Sequence, residues 1–599
     1  MARSAILLYD REPGTEQKNL SRILDFFGVP WKTVGLSGFP NIGDGLQDCA
    51  VFGSAPVVSI ALERIWKQDS ATTGIAAFYI YASPDRAVSE DALQRLAGNP
   101  RLLLRPVPNG LVRLQIGTEP ADMTGPMAGL AFSGRMRIED GVIYGLDRNE
   151  SEILTVVSVG GAPAFIRLIR QGTQFFFCGS SYIVDIERKL ESSFYDVRNE
   201  CGSAVPLVMF IRATFAEVMW RPQELGACVI IDDPLLKRRY GSCDFTVVQT
   251  LMLQHGFTTN IAFIPWNWRR TSLKARELFG NEQGGFSISI HGCDHVKGEF
   301  GDTSAAFLNG KTSLAQSRMR RHEERTGIHH DNVMVFPQGV FSSISLEVLK
   351  LNGFLAAVNT ETAPVDNAAT APTIRDVWDI AIMSYGAFPI FTRRYTHHGA
   401  ENFAFDMLLG KPCLVVTHHE FFKNDCRELI RIIEKLQSMN SSLQWRSLGT
   451  VVRRACRRRP ISDGTEEVEM YGTELFVENP YDRPIEVLVR KRETRPDMIA
   501  EVRCDDRPVR WDGIAGQLVT RENIEPHGSR RFHVLYRESN AMGKVERSLR
   551  FEVSVALRRI LSECRDEYLS EGRFLDVGNS IRNKLRRANQ AKASAREVN

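Results

Sequence analysis

The chain is predicted to be a multidomain α/β protein with a (β/α) barrel at its centre. Three observations predict this. Short apolar runs alternate with helix-length amphipathic stretches over most of the first 450 residues. At 599 residues the chain is too long for one core, because single cores stop growing at roughly 250–300 residues. From about residue 461 the pattern changes to short strand-like runs separated by turn sequences.

Composition narrows the class. Apolar content of 43% and charged content of 25% are ordinary for a soluble globular protein. A net charge of +3 gives no electrostatic reason to expect a nucleic acid or another polyanion as partner. The eleven cysteines are scattered without a CxxC pair, which reads as reduced, buried thiols in a cytosolic protein. The N-terminal run Met-Ala-Arg-Ser-Ala-Ile-Leu-Leu-Tyr-Asp is too short in apolar residues for a signal peptide and reads as a first strand. The nearest approach to a membrane span, Val205–Trp220, is interrupted by Arg212. A soluble, cytoplasmic protein is expected.

Residues 1–215 are expected to form an open α/β domain of flavodoxoid type. Ala5–Tyr9, Trp31–Val34, Ala50–Phe52 and Ala77–Tyr81 read as strands, and Glu16–Phe27 as an amphipathic helix stopped by Gly28. Thr155–Val159, Gly160-Gly161 and Gln174–Cys178 read as strand, turn and strand. There is no GxGxxG and no phosphate loop, so this rhythm does not imply a nucleotide. The segment from Ala162 to Phe177 resembles the closing part of glutamine-amidotransferase-like flavodoxoid domains. No matching nucleophilic cysteine elbow accompanies it, so a non-catalytic domain is expected.

Residues 225–450 hold the barrel. Its expected strands are Ala227–Ile231, Thr259–Ile264, Phe286–Ile290, Val333–Phe336, Phe354–Val358, Ile380–Met383 and Leu414–Thr417. Residues 461–540 read as a small β-sandwich, with Glu474–Val477 and Ile485–Val489 flanking a turn-rich connection. The arginines 453, 454, 457, 458 and 459 before it read as a solvated helix end and linker. Residues 545–599 read as a basic helical tail: Leu549, Val553, Ala556, Ile560 and Cys564 lie at helical spacing, and 580–599 are expected to fray.

Chemistry-bearing residues gather at the ends of the barrel strands. Asp232-Asp233 end the first, His291 ends the third with His295 four residues on, and His418 ends the last. Reactive groups of such barrels sit at the C-terminal ends of the strands. One carboxylate and two imidazoles make a mixed O/N site suited to a divalent transition metal with positions left open. The second carboxylate can serve as a base, which points to metal-assisted hydrolysis.

These motifs resemble the polysaccharide deacetylases of carbohydrate esterase family 4, over roughly residues 225–450. The resemblance is carried by Asp232-Asp233, by His291-x-x-x-His295, by Phe336-Pro337-Gln338-Gly339 and by Leu414-x-x-x-His418. It implies a distorted (β/α) barrel and metal-dependent removal of N- or O-acetyl groups from a sugar or glycan precursor. It implies Asp233, His291 and His295 as metal ligands, with zinc first and cobalt or nickel as alternatives. It implies Asp232 as general base and His418 as general acid, with His419 as a rival for the acid.

Pro337, Gly339, Trp266 and Arg375 are expected at the substrate. The family's base-orienting arginine is replaced by Val335, and Arg375 is the expected substitute. Two other readings remain open: an amidase acting on a non-sugar C–N bond, and a catalytically silent barrel used for binding or assembly.

Overall fold

The computed structural model describes residues 2–39, 48–67, 75–146, 152–170, 172–281, 284–366, 371–423, 426–537 and 548–566. Its first sheet has nine strands. Trp31–Gly35, Ser4–Tyr9, Cys49–Ser54 and Ile75–Tyr81 lie side by side and parallel. Thr173–Cys178 joins them in parallel, then pairs antiparallel with Ala162–Arg170. The sheet thus changes from a parallel half to an antiparallel half at that strand. The turn Gly160-Gly161 takes φ of 59° and 86°, a left-handed conformation open to glycine, and leads into Ala162–Arg170, a strand not anticipated in the sequence.

Helix Cys201–Thr214 follows, buried along nearly all of its length. It belongs to one apolar cluster that runs from the first sheet into the barrel. Its continuous apolar character is that of a helix covered on every side within a core. No helix among the described residues is long and apolar enough to cross a membrane.

The barrel strands, numbered here β1 to β7, are Gly226–Asp232, Thr259–Phe263, Phe286–His291, Asp331–Val335, Ala356–Asn359, the two-part strand Ile390–Thr392 and Arg394–Tyr395, and Cys413–His418. All neighbouring pairs are parallel, and β1 lies between β2 and β7. The sixth strand closes the ring. Its first part, Ile390–Thr392, pairs with β5, and its last part, Arg394–Tyr395, pairs with β7. Arg393 stands where the strand crosses from one neighbour to the other.

This corrects the expectation that Ile380–Met383 is the sixth strand. That run is buried but makes a single antiparallel bridge, Ile382 to Ile390. Burial alone explains its apolar character. The backbone carbonyls of Val377 and Asp379 just before it are bonded by the Lys411 ammonium rather than by a strand.

Beyond helix Leu448–Arg454, a sheet of six strands, one of them the earlier Arg221–Pro222, faces a sheet of four over a common apolar core that includes Val468, Leu475, Val487, Val502 and Phe532. The arginine run is not solvated. Arg453 bonds Asp331 and Glu474, Arg454 bonds Glu224 and Glu478, and Arg457, Arg458 and Arg459 bond Glu469, Glu466 and Glu467. The last three arginines belong to strand Cys456–Ser462, and their acidic partners come from its antiparallel neighbour Thr465–Met470. Lys350 and Glu493, both fully buried and 2.8 Å apart, tie this sandwich to the barrel. The expected tail begins as helix Leu549–Cys564. Residues 580–599 lie outside the described residues.

His322, on helix Ala305–Thr326, is fully buried, bonds the Thr271 hydroxyl at 2.8 Å and packs on Phe263. Burial pushes its pKa down to about 4. The unfolded chain, with an ordinary histidine near ~6.5, therefore binds more protons between these values, and stability falls as pH drops. Denaturant titrations from pH 7 to pH 4 should show a loss on the order of 3 kcal/mol from this group. That part of the slope should vanish in His322→Leu.

Candidate active site

The first-strand carboxylates diverge because the chain turns between them. Asp232 is the last residue of β1, and Asp233 takes φ 79°. A left-handed aspartate is tolerated better than most residues there, at a small conformational cost. It brings Asp233 Oδ1 to 2.9 Å from His295 Nε2 and 3.3 Å from His291 Nε2. Two ligands of a tetrahedral ion with bonds of ~2.0–2.1 Å lie about 3.3 Å apart, so this spacing fits one small cation. Asp233 Oδ1 is buried and has no hydrogen-bond partner among the described residues, although its side chain as a whole is 35% exposed. An orphaned carboxylate oxygen facing two imidazole nitrogens is what a divalent ion would satisfy. Among the described residues no other cluster of His, Cys, Asp and Glu has ligand atoms gathered this way.

The imidazoles are held from behind. His291 Nδ1 donates to the Val335 carbonyl at 2.9 Å, which leaves Nε2 as the nitrogen facing Asp233. Val335, expected only as the residue standing in for a missing arginine, thus serves the site through its backbone. His295 takes φ 55° in the loop after β3. Glu299, buried, accepts the N–H groups of Cys293, Asp294 and His295 at 2.8, 3.1 and 3.0 Å. Asp294, fully buried, is bonded by Lys311 at 2.6 Å and Arg318 at 2.8 Å. Gly292 permits the turn: φ is 63°, and a Cβ there would lie 2.2 Å from Glu299 and 2.4 Å from Pro337. Pro337 therefore supports the ligand loop. Gly339, also left-handed, is bonded through its carbonyl by Asn359 at 2.9 Å. Cys293 is a buried thiol whose pKa burial drives up, so it stays protonated.

Asp232 does have an arginine. Arg393 grips it with two parallel bonds of 2.7 Å, and both side chains are buried. Burial works to raise the Asp232 pKa, but the charges of Arg393 and then His291 outweigh it and hold the carboxyl below its usual range. Arg375, the expected substitute, instead pairs with Glu187 at 3.1 Å and is partly exposed. Burial opposes protonation of His291, yet the close approach of Asp233 and the negative charges of Asp232 and Asp233 pull its pKa up. Asp233 is likewise held well below the carboxylate range, mainly by His295 and His291 against the effect of burial.

His418 ends β7 directly beside Asp232 in the strand register and is exposed at the rim. Its Nδ1 lies 3.1 Å from the Thr417 carbonyl, and Tyr395 packs edge-on to its ring at 6.0 Å. The side chain of His419 lies outside the described residues. Trp266 is half-buried, with its backbone N–H on the Cys293 carbonyl at 3.1 Å, so it borders the ligand loop. The remaining histidine pairs are engaged elsewhere: His329 and His330 bond Glu323, and His398 stacks on Phe194 at 4.1 Å.

No protein-family model and no curated protein matches the chain. Among solved structures, a CE4 family pseudoenzyme from Bacillus anthracis is similar at 10% identity, over 39% of this chain and 67% of that one, with a TM-score of 0.26. A family 4 carbohydrate esterase from Bacillus anthracis is similar at 12% identity, over 40% and 86%, with a TM-score of 0.24. A protein from Thermoplasma acidophilum assigned as a component of GMP synthase is similar at 11% identity, over 36% and 96%, with a TM-score of 0.23. At these values the likeness assigns no chemistry to this chain.

Dialysis of the full-length protein against zinc, cobalt or nickel, followed by elemental analysis, should find about one ion per chain. Asp233→Ala and His291→Ala should abolish it. Glu299→Gln, which keeps the shape but weakens the loop clamp, should lower affinity by about 10–100-fold.

Proposed function

We propose that the barrel is a metal-dependent hydrolase that removes acetyl groups, N-linked before O-linked, from a sugar or glycan precursor. The observation that carries this reading is the separation of two adjacent carboxylates into two environments. Asp233 faces His291 and His295, while Asp232 is gripped by Arg393 beside His418. Paired groups pushed into different environments are the mark of divided acid, base and ligand roles.

Asp233, His291 and His295 would hold the ion, zinc first and cobalt or nickel as alternatives. When bound, it supplies Lewis-acid polarisation of the scissile carbonyl. Asp232, kept ionised by Arg393, accepts a proton from the attacking water. Arg393 fixes the plane of that carboxylate through its two-pronged grip, so the accepting oxygen stays aimed. His418 gives a proton to the departing amine nitrogen or alkoxide oxygen. Trp266, on the neighbouring loop, offers an apolar face on which a sugar ring can stack.

Acetate release from N-acetylhexosamine oligomers tests the reading. Asp232→Asn should lower kcat by about 10²–10⁴-fold. His418→Gln should impair amide cleavage strongly and cleavage of 4-nitrophenyl acetate little, because that leaving group departs without a proton. Undiminished turnover in Asp232→Asn would remove Asp232 from the role of base.

A further inference from the structure

The C-terminal helix Leu549–Cys564 lies across the ligand loop with its polarity reversed. Leu549, Val553, Leu557, Ile560 and Leu561 are each at least 50% exposed. Its charged side chains meet the barrel instead. Arg558 donates to the carbonyl of His295 at 3.0 Å. Glu563 bonds Lys237, from the segment after β1, and Arg270, from the loop beyond β2. Asp566 bonds the Tyr240 hydroxyl at 2.8 Å and Arg565 at 2.7 Å. A helix held this way is placed by its polar groups, with only Val555 buried along it.

Matching charges at this mouth leaves two arginines without a carboxylate among the described residues, Arg558 and Arg559, and Arg558 is engaged by the His295 carbonyl. Asp232 belongs to Arg393, Glu563 to Lys237 and Arg270, and Asp566 to Arg565. Arg559 pairs with no carboxylate within 4.0 Å among the described residues. Its hydrogen bond is a long one, 3.5 Å to the Ser562 hydroxyl, and its Nε is buried without a partner among the described residues. Glu563, one turn further along the same helix face, meets the barrel through Lys237 and Arg270, so Arg559 faces the barrel as well. A half-buried guanidinium without a counter-charge from the protein is open to an incoming anion. Its planar fork suits a two-oxygen group, phosphate or carboxylate.

We propose that Arg559 is a substrate-binding residue and that the molecule acted on carries an oxyanion, a phosphate or a carboxylate, seated between this helix and the barrel rim. The identity of the occupant as substrate rests on the hydrolase reading; the anion site itself does not.

The test uses the full-length protein, with and without zinc, titrated calorimetrically with inorganic phosphate and separately with acetate. The stronger arm tells phosphate from carboxylate. Arg559→Gln should weaken the preferred anion at least about tenfold in both metal states, and Arg559→Lys should restore part of the affinity. Unaltered thermal unfolding would show that the variant is folded. In turnover, Arg559→Gln should raise KM for an acetylated glycan bearing the preferred anion by a larger factor than for a neutral acetylated oligomer. Phosphate and acetate binding equal to wild type in Arg559→Gln would overturn the proposal. So would faster turnover of both glycans in that variant, because the helix would then be a lid that shuts the site. Arg559-dependent anion binding in a protein that releases no acetate would uphold the anion site and remove the hydrolase reading alone.

Discussion

The paired bonds between Arg393 and Asp232 are the interaction on which the rest of the barrel end depends. Two charges are buried there, and each would be costly alone. The pair need not add stability over an apolar substitute, but losing either member strands the other. Its position gives it a second consequence. Arg393 stands where the sixth strand passes from β5 to β7, so the same residue that grips the first strand also marks the closure of the ring. With Asp232 held by the arginine, Asp233 is the carboxylate left for the two histidines.

Around that pair the structure is built in supporting layers. The β4 carbonyl at Val335 orients His291, and Glu299 fixes the His295 loop by three backbone bonds. Helix Ala305–Thr326 brings Lys311 and Arg318 to Asp294 beneath the same loop. Buried polar networks of this kind specify one arrangement when every member is satisfied. The sandwich is coupled to the barrel by Lys350–Glu493 and by Tyr471 with Arg457 on Asp379. The first sheet is coupled to it through helix Cys201–Thr214. Each flanking part thus meets the barrel through buried contacts rather than through a linker alone.

Several features were legible in the residues because they are local. Strand ends followed from apolar runs that stop at Asp232, His291 and His418, and Gly28 ended a helix as its left-handed φ requires. The strand holding Arg393 was not legible, since Arg393-Arg394 interrupts its apolar character; both arginines are buried against Asp232 and Asp406. The more uniformly apolar Ile380–Met383 looked a better strand and is buried without being one. The arginine run from 453 read as solvated because its carboxylates, such as Asp331 and Glu224, lie far away along the chain.

The sequence by itself determined the alternation of strands and helices, the strand-end residues and the ligand types, because period, burial preference and side-chain chemistry are properties of neighbouring residues. Only the tertiary structure decided which arginine meets Asp232, which glutamate clamps the ligand loop and which face of the last helix turns inward. Those choices depend on the pairing of buried charges across distant segments. A charge carries no mark of its partner in the chain; the partner is set by which strands become neighbours when the barrel closes.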